Sequence, residues 1–169
     1  MEINKKMKFK EFLFTAFYSG YSPVAPGTAG TLVAMALYIL ENIIFSSVNP
    51  FYIHAFNFML LCVIIYPCIK LGDAAETFFN AKDPQQVVLD EVLGYWTGIL
   101  FIPFSFSSAI MAFVLFRFFD IIKPFPANRL QSLKGGLGIM IDDIVAGLYT
   151  LACMHAVLFL LSRHNIILP

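Results

Sequence analysis

The chain has 169 residues, the length of a single domain spanning 1–169. Apolar residues make up 59% and charged residues 13%, where soluble domains run roughly 45–50% and about 25%; with a mean hydropathy of +0.78 this excludes an ordinary soluble globule and predicts a protein solvated partly by lipid. Lys plus Arg and Asp plus Glu stand at 11 each, so no basic surplus points to nucleic acid, and no nucleic-acid partner is expected.

The N-terminus, MEINKKMKFKEFLFTAFYSG, carries Lys5, Lys6, Lys8 and Lys10. Its apolar part, 12–18, lies at the lower limit for a secretory signal. The expectation is an amphipathic helix with its basic face on anionic lipid. Next comes GYSPVAPGTAGT (20–31), a glycine- and proline-rich stretch placed directly before an apolar run.

Four apolar segments follow, at 31–48, 52–71, 93–119 and 144–161. A membrane span needs ~20 mainly apolar residues, which suits the second and fourth. The first is interrupted by Glu41, which is expensive in lipid unless it faces protein or water. The lysines before it predict a cytoplasmic N-terminus. The first two segments then form a hairpin closed by a turn at 47–51, and the loop 72–92 returns to the cytoplasm. Cys62, Cys68 and Cys153 all lie in apolar stretches and read as small buried hydrophobes.

The third segment is flanked by charge, with Asp90 and Glu91 before it and Asp120 and Lys123 after it. If both clusters serve one site, the chain must cross and return between them. Two full crossings need ~40 residues by the same length rule, and 93–119 supplies too few. The segment is therefore expected to be a broken, re-entrant helical hairpin, turning near Pro103, Ser105, Ser107 and Ser108. The competing arrangement is one tilted span with the clusters on opposite sides. The fold class expected is all-α, a multi-helical membrane-embedded bundle.

The acids carry the chemistry. Most of them lie between Asp73 and Asp143, and Asp142-Asp143 sits in an apolar frame, GIMIDDIVAG. Unpaired, two adjacent buried acids are costly. Hard cations such as Mg²⁺ take oxygen ligands, so either a metal or ion pairs with Arg117, Lys123 and Lys134 must hold them. FRFFDIIKPFP spaces Arg117, Asp120 and Lys123 at i, i+3 and i+6, which reads either as a salt-bridge ladder or as a phosphate clamp with a forked Arg and a point-charge Lys. GYSPVAPGTAGT and Gly135-Gly136-Leu137-Gly138 both precede helices, where exposed N–H groups favour an anion, and Thr28 is a candidate helix cap.

GYSPVAPGTAGT, VVLDEVLGYW, FRFFDIIKPFP and GGLGIMIDDIVAGLY closely resemble the signature segments of the bacterial phosphatidylglycerophosphatase A family, in the family's order, across 20–149. The resemblance implies an all-helical, Mg²⁺-dependent phosphatase that converts phosphatidylglycerophosphate to phosphatidylglycerol and inorganic phosphate in phospholipid biosynthesis. The phospholipid and the membrane are then its partners. The implied setting is the bacterial inner membrane with the site on the cytoplasmic side. By the same resemblance, Asp90, Glu91, Asp142 and Asp143 are assigned to metal. Asp143, Glu91, Arg117, Lys123 and Asp120 are assigned to catalysis. Thr28, Gly27, Gly30 and Ser22, with Arg117 and Lys123, are assigned to substrate binding.

Missing motifs narrow the mechanism. There is no Cys-x5-Arg and no Asp-x-Asp, and none of His54, His155 and His164 neighbours the acidic clusters in sequence. Hydrolysis by metal-activated water is expected, with an aspartyl-phosphate route left open. The rival from another class is a small ion-coupled transporter or channel using Glu41 and the acid pair.

Overall fold

The computed structural model describes the backbone of residues 2–163 and the side chains of 5–163. Every regular element among them is helical: α1 (Glu2–Phe14), a 3₁₀ turn (Ser19–Tyr21), α2 (Pro26–Ile44), α3 (Pro50–Phe79), α4 (Leu89–Gly98), α5 (Phe106–Ile122), α6 (Ala127–Leu130) and α7 (Gly136–Arg163). Three helices, α2, α3 and α7, are long and apolar enough to cross a membrane. Their outward faces carry Leu40, Ile43, Phe56, Met59, Val63, Tyr66, Phe159 and Leu160, all exposed, which is the pattern of a lipid-facing belt.

Local chemistry sets the ends of these helices. Pro26 and Pro50 open α2 and α3, where a missing N–H is harmless. Asn49 caps α3 by accepting the Phe51 N–H at 3.0 Å. Asn80 closes it in the left-handed conformation, at φ 49°. Helix α3 runs past the expected apolar boundary at 71 and carries the polar residues Asp73 and Glu76. Similarly, α7 begins at Gly136, so Asp142 and Asp143 lie within its first turns.

The third apolar segment breaks as expected. Helix α4 has 10 residues and α5 has 17, about 15 and 25 Å of rise, each short of a ~30 Å hydrocarbon core. The start of α4 meets the end of α5, with Glu91 Oε1 3.7 Å from Arg117 Nη1. The segment therefore folds back on itself as a helical hairpin, and one continuous helix over 93–119 is excluded. Backbone at the break of an apolar hairpin must be satisfied by protein, and the serines at the tip do this. Ser105 and Ser108 form a reciprocal capping box that opens α5, and Ser108 Oγ also donates to the Pro103 carbonyl at 2.9 Å. Phe101 at the tip is packed by His54 and Phe58 of α3.

Helix α4 is the centre of the bundle. Tyr95 and Ile99 join one core with Tyr38, Ile102, Phe116 and Met154. Leu93 joins the other with Phe14, Leu61, Ile139 and Met140. Tyr95 Oη donates to the Ala109 carbonyl of α5 at 3.1 Å, and Trp96 Nε1 donates to the Ala34 carbonyl of α2 at 3.1 Å. Glu41 accepts from Asn57 Nδ2 of α3 at 2.9 Å, so the intramembrane acid is held by a neutral amide across the α2–α3 hairpin. Of the cysteines, Cys68 is buried as expected, while Cys62 is exposed on the belt.

Helices α4 and α7 pack closely against each other at Gly94 and Gly147. A Cβ on Gly147 would run into the Gly94 carbonyl oxygen, and one on Gly94 would strike the Phe116 ring. Gly147→Ala is therefore expected to destabilise the protein by about 1–3 kcal/mol through overpacking, read as a lower thermal midpoint in detergent. An unchanged midpoint would show that the helices tolerate more separation than this crossing allows.

Candidate active site

Four helix ends converge at one end of the bundle. The first turn of α4 supplies Asp90 and Glu91, and the start of α7 supplies Asp142 and Asp143. The last turns of α5 supply Arg117 and Asp120, with Lys123 as its left-handed C-cap at φ 45°. The first turn of α2 supplies Gly27. Between them lies an open cavity of about 400 Å³, lined by Ala25, Pro26, Gly27, Asp90, Glu91, Arg117, Asp120, Ile121, Lys123 and Asp143, with the 83–87 loop as its remaining wall.

The charge is unbalanced. Asp90, Glu91, Asp120, Asp142 and Asp143 are all buried, and they face one guanidinium and one ammonium. Arg117 Nη1 lies 2.8 Å from Asp120 Oδ2, and Lys123 Nζ bonds Asp142 Oδ2 and lies 3.6 Å from Asp120. Carboxylate oxygens of Asp90, Glu91 and Asp143 come within 4.8 Å of one another. Asp90 Oδ1, Glu91 Oε2, Asp142 Oδ1 and Asp143 Oδ2 are buried without a hydrogen-bond partner. Burial, then the neighbouring Glu91 and Asp143, hold Asp90 well above the ordinary carboxylate range. Burial also raises Glu91, against the hydrogen bond to Asp90 and the pull of Arg117. For Lys123 burial opposes the charge, but the hydrogen bond to Asp142 and the charges of Asp143, Asp142 and Asp120 outweigh it and raise its affinity for a proton.

Unpartnered oxygens from three converging carboxylates are the donor set of a hard divalent cation, and Asp90, Glu91 and Asp143 fit one. Asp142 parts from this group. Adjacent helical residues diverge by about 100°: Asp143 faces α4, with Lys123 Nζ 4.0 Å away, while Asp142 turns to Lys123 and forms one of the ion pairs expected from sequence.

The N-terminal loop is arranged differently from the sequence expectation. Thr28 is no cap: the N-cap position is Ala25, at φ 49°, with no side-chain cap. Thr28 is also absent from the cavity wall, as are Ser22, whose hydroxyl donates to the Val24 carbonyl at 2.9 Å, and Gly30, whose missing Cβ makes room for Val88. Gly27 does line the cavity. A Cβ there would collide with Glu91 Oε1 and press on both terminal nitrogens of Arg117, so a larger residue would have to displace the carboxylate and guanidinium from their present positions. The first helical N–H bonded along α2 is that of Ala29, to the Ala25 carbonyl at 3.1 Å, which leaves the Gly27 and Thr28 amides at the helix start without a helical partner.

The second glycine-rich start is already taken. The Gly136 N–H donates to Asp73 Oδ1 of α3 at 2.8 Å, an internal anion on the start of α7. Gly136 itself packs on the Ile69 carbonyl. His54 and His155 lie on α3 and α7 and do not line the cavity, and His164 lies outside the described residues.

Two residues at the site were not singled out from sequence. Thr31, fully buried, donates to the Gly27 carbonyl at 2.8 Å and accepts from Arg117 Nη1 at 3.4 Å. Its position one turn after Gly27 in the same loop was the available signal. Asp83, on the cavity wall, belongs to the polar loop preceding Asp90, and nothing in its spacing marks it.

The model of the family described as "Phosphatidylglycerophosphatase A" matches residues 12–158. A Bacteroides thetaiotaomicron protein named "Putative phosphatidylinositol-3-phosphatase" is 37% identical over 80% of this chain and 85% of its own. Proteins named phosphatidylglycerophosphatase A from Escherichia coli and Haemophilus influenzae are 32% and 36% identical. They cover 85% and 86% of this chain, and 80% and 86% of their own. No solved structure matches the chain. The signature segments that surround the acidic cavity all fall inside the matched region, and the chain belongs to the phosphatidylglycerophosphatase A family.

Proposed function

We propose that this protein removes the terminal phosphate of phosphatidylglycerophosphate, leaving phosphatidylglycerol and inorganic phosphate, as a Mg²⁺-dependent step of phospholipid biosynthesis. The proposed setting is the bacterial inner membrane, with the cavity on the cytoplasmic side, where the lysines of α1 orient the chain. The observation that carries the reading is the juxtaposition of three carboxylates bearing unpartnered oxygens with an Arg-Lys pair, at one end of a bundle of apolar helices. The family supplies the headgroup. The name of the Bacteroides relative offers a second headgroup, a phosphoinositide, with the same phosphomonoester chemistry.

Mg²⁺ held by Asp90, Glu91 and Asp143 would supply a Lewis acid for phosphoryl oxygens and lower the pKa of bound water. The chain's own residues do the rest. Arg117 has its Nε buried and unpartnered, and its guanidinium faces the cavity to bind phosphate oxygens. Asp120, at 2.8 Å, fixes its orientation. Lys123 adds a point charge where negative charge develops on the phosphoryl group. The Gly27 amide, on the cavity wall, presents the positive end of α2 to the same anion. A buried carboxylate, Glu91 or Asp143, accepts the proton of the attacking water. Trapping of a phosphorylated aspartate would overturn this direct-water route.

The direct assay is phosphate release from phosphatidylglycerophosphate and from phosphatidylinositol 3-phosphate by purified protein, with and without Mg²⁺. Release from the first, dependent on Mg²⁺, is expected. Asp143→Asn should reduce it by about 10²-fold or more, and full turnover in that variant would remove the acid cluster from the mechanism.

Metal binding has a readout independent of turnover. Mg²⁺ is expected to raise the thermal midpoint of the wild type, because an ion that binds only the folded state stabilises it. Asp90→Asn should raise the metal-free midpoint by relieving like-charge crowding, and it should abolish the Mg²⁺ increment. The same increment in variant and wild type would place the ion elsewhere.

Thr31→Val removes one hydrogen bond to Arg117 and one to Gly27. It should lower kcat/KM by about 2–10-fold, the scale of a single hydrogen bond, while Thr28→Val, off the cavity wall, changes it less. The reverse order would restore Thr28 as the functional hydroxyl.

A further inference from the structure

One face of α5 connects the hydrocarbon region to the acidic cavity. Phe106, Ile110, Val114, Phe118 and Ile121 are each more than half exposed. At about 100° per residue, Phe106, Ile110, Val114 and Ile121 fall within a sector of about 80°, and Arg117 falls inside the same sector. The row rises about 22 Å from Phe106 to Ile121, more than one leaflet of a ~30 Å hydrocarbon core. It does not stop at the membrane edge. Ile121 is 71% exposed and is also part of the cavity wall, beside Arg117, Asp120 and Lys123. The other large aliphatic residue on that wall, Val87, is buried.

We infer that this face of α5 is an acyl-chain track, along which a diacyl phosphomonoester moves sideways from the bilayer, with Ile121 as the contact between its tails and its headgroup. The inference rests on the phosphatase reading and adds to it the route of the lipid and the residues that guide its tails: the Phe106–Ile121 face of α5, ending at Ile121 on the cavity wall. Charge and polarity run the right way for this occupant. The stripe is uncharged from Phe106 to Phe116, and the cations appear only where a phosphate would arrive. The tip of the hairpin sits at the far end of the track, and at the near end the cavity is walled by the start of α2 and the end of α5. A lipid can therefore keep its tails against α5 while its phosphate reaches Arg117, and no apolar surface need enter water.

The test compares long-chain phosphatidylglycerophosphate in phospholipid vesicles with its deacylated headgroup, glycerophosphoglycerophosphate, in the same reconstituted sample. Ile121→Asn should lower the ratio of kcat/KM for the lipid to that for the headgroup by about 10-fold or more, the effect of losing one apolar side chain's contact. Phe159→Asn, a change at another exposed apolar residue, on α7 away from the cavity, should leave the ratio as in wild type. An equal loss on both substrates from Ile121→Asn would make Ile121 a structural residue and overturn the track. Wild-type protein inert to both substrates would instead remove the phosphatase reading beneath it. If Ile121→Asn fails to fold, the wild type decides. A lipid with a photoreactive group in its tail should label residues between Ile110 and Ile121, and labelling confined to α2, α3 or α7 would overturn the inference.

Discussion

The structure depends on holding like charges together where they repel. Oxygens of Asp90, Glu91 and Asp143 lie within 4.8 Å of one another, and at an effective dielectric of about 20 each ionised pair at that distance repels by roughly 3 kcal/mol. Arg117 and Lys123 offset part of this, but each is also engaged by Asp120, and Lys123 is bonded to Asp142. The remaining negative charge has to be met by protons or by a cation. That requirement explains why the site lies at the ends of helices rather than midway along them: there the start of α4 contributes its positive dipole end to Asp90 and Glu91, and ions can enter from water.

The same constraint sets the topology. Glu91 and Arg117 are 26 residues apart in sequence (117 − 91) and must meet at one end of the bundle, so the segment between them can only go in and come back. A helix of 10 residues and one of 17 satisfy that condition with an apolar tip between them. The Ser105–Ser108 box and the Tyr95–Ala109 hydrogen bond keep its backbone paired. The glycine contact between α4 and α7 brings the backbones close enough for Glu91 and Asp143 to share one cavity.

The hairpin was legible because it followed from counting: too few residues for two crossings, and charge at both ends. The acid positions were legible because buried carboxylates in an apolar chain need a reason. What the sequence did not disclose were directions. Asp142 and Asp143 look equivalent in GIMIDDIVAG, and only the packing of α7 against α4 and α5 sets Asp143 beside Asp90 and Glu91 and gives Asp142 the direct bond to Lys123. Thr28 and Thr31 look alike as hydroxyls in one loop, yet helix α2 starts early enough that Thr31 faces Arg117. Asp73 lies 63 residues from its partner Gly136, and no local pattern announces a bond of that range.

The two glycine-rich helix starts show how an apparent pair of anion sites resolves into one. Both have the composition that favours a negative group. At α7 the chain supplies its own carboxylate, Asp73, and Gly136 is pressed so closely onto the Ile69 carbonyl that no larger residue or added ligand fits between them. At α2 the space a Cβ would occupy is filled by Glu91 and Arg117, while the Gly27 and Thr28 amides keep no helical partner. One start is closed for structure, and the other is left open beside a guanidinium. The asymmetry follows from what packs against each glycine: a backbone carbonyl and an internal carboxylate at α7, and two cavity-lining side chains at α2.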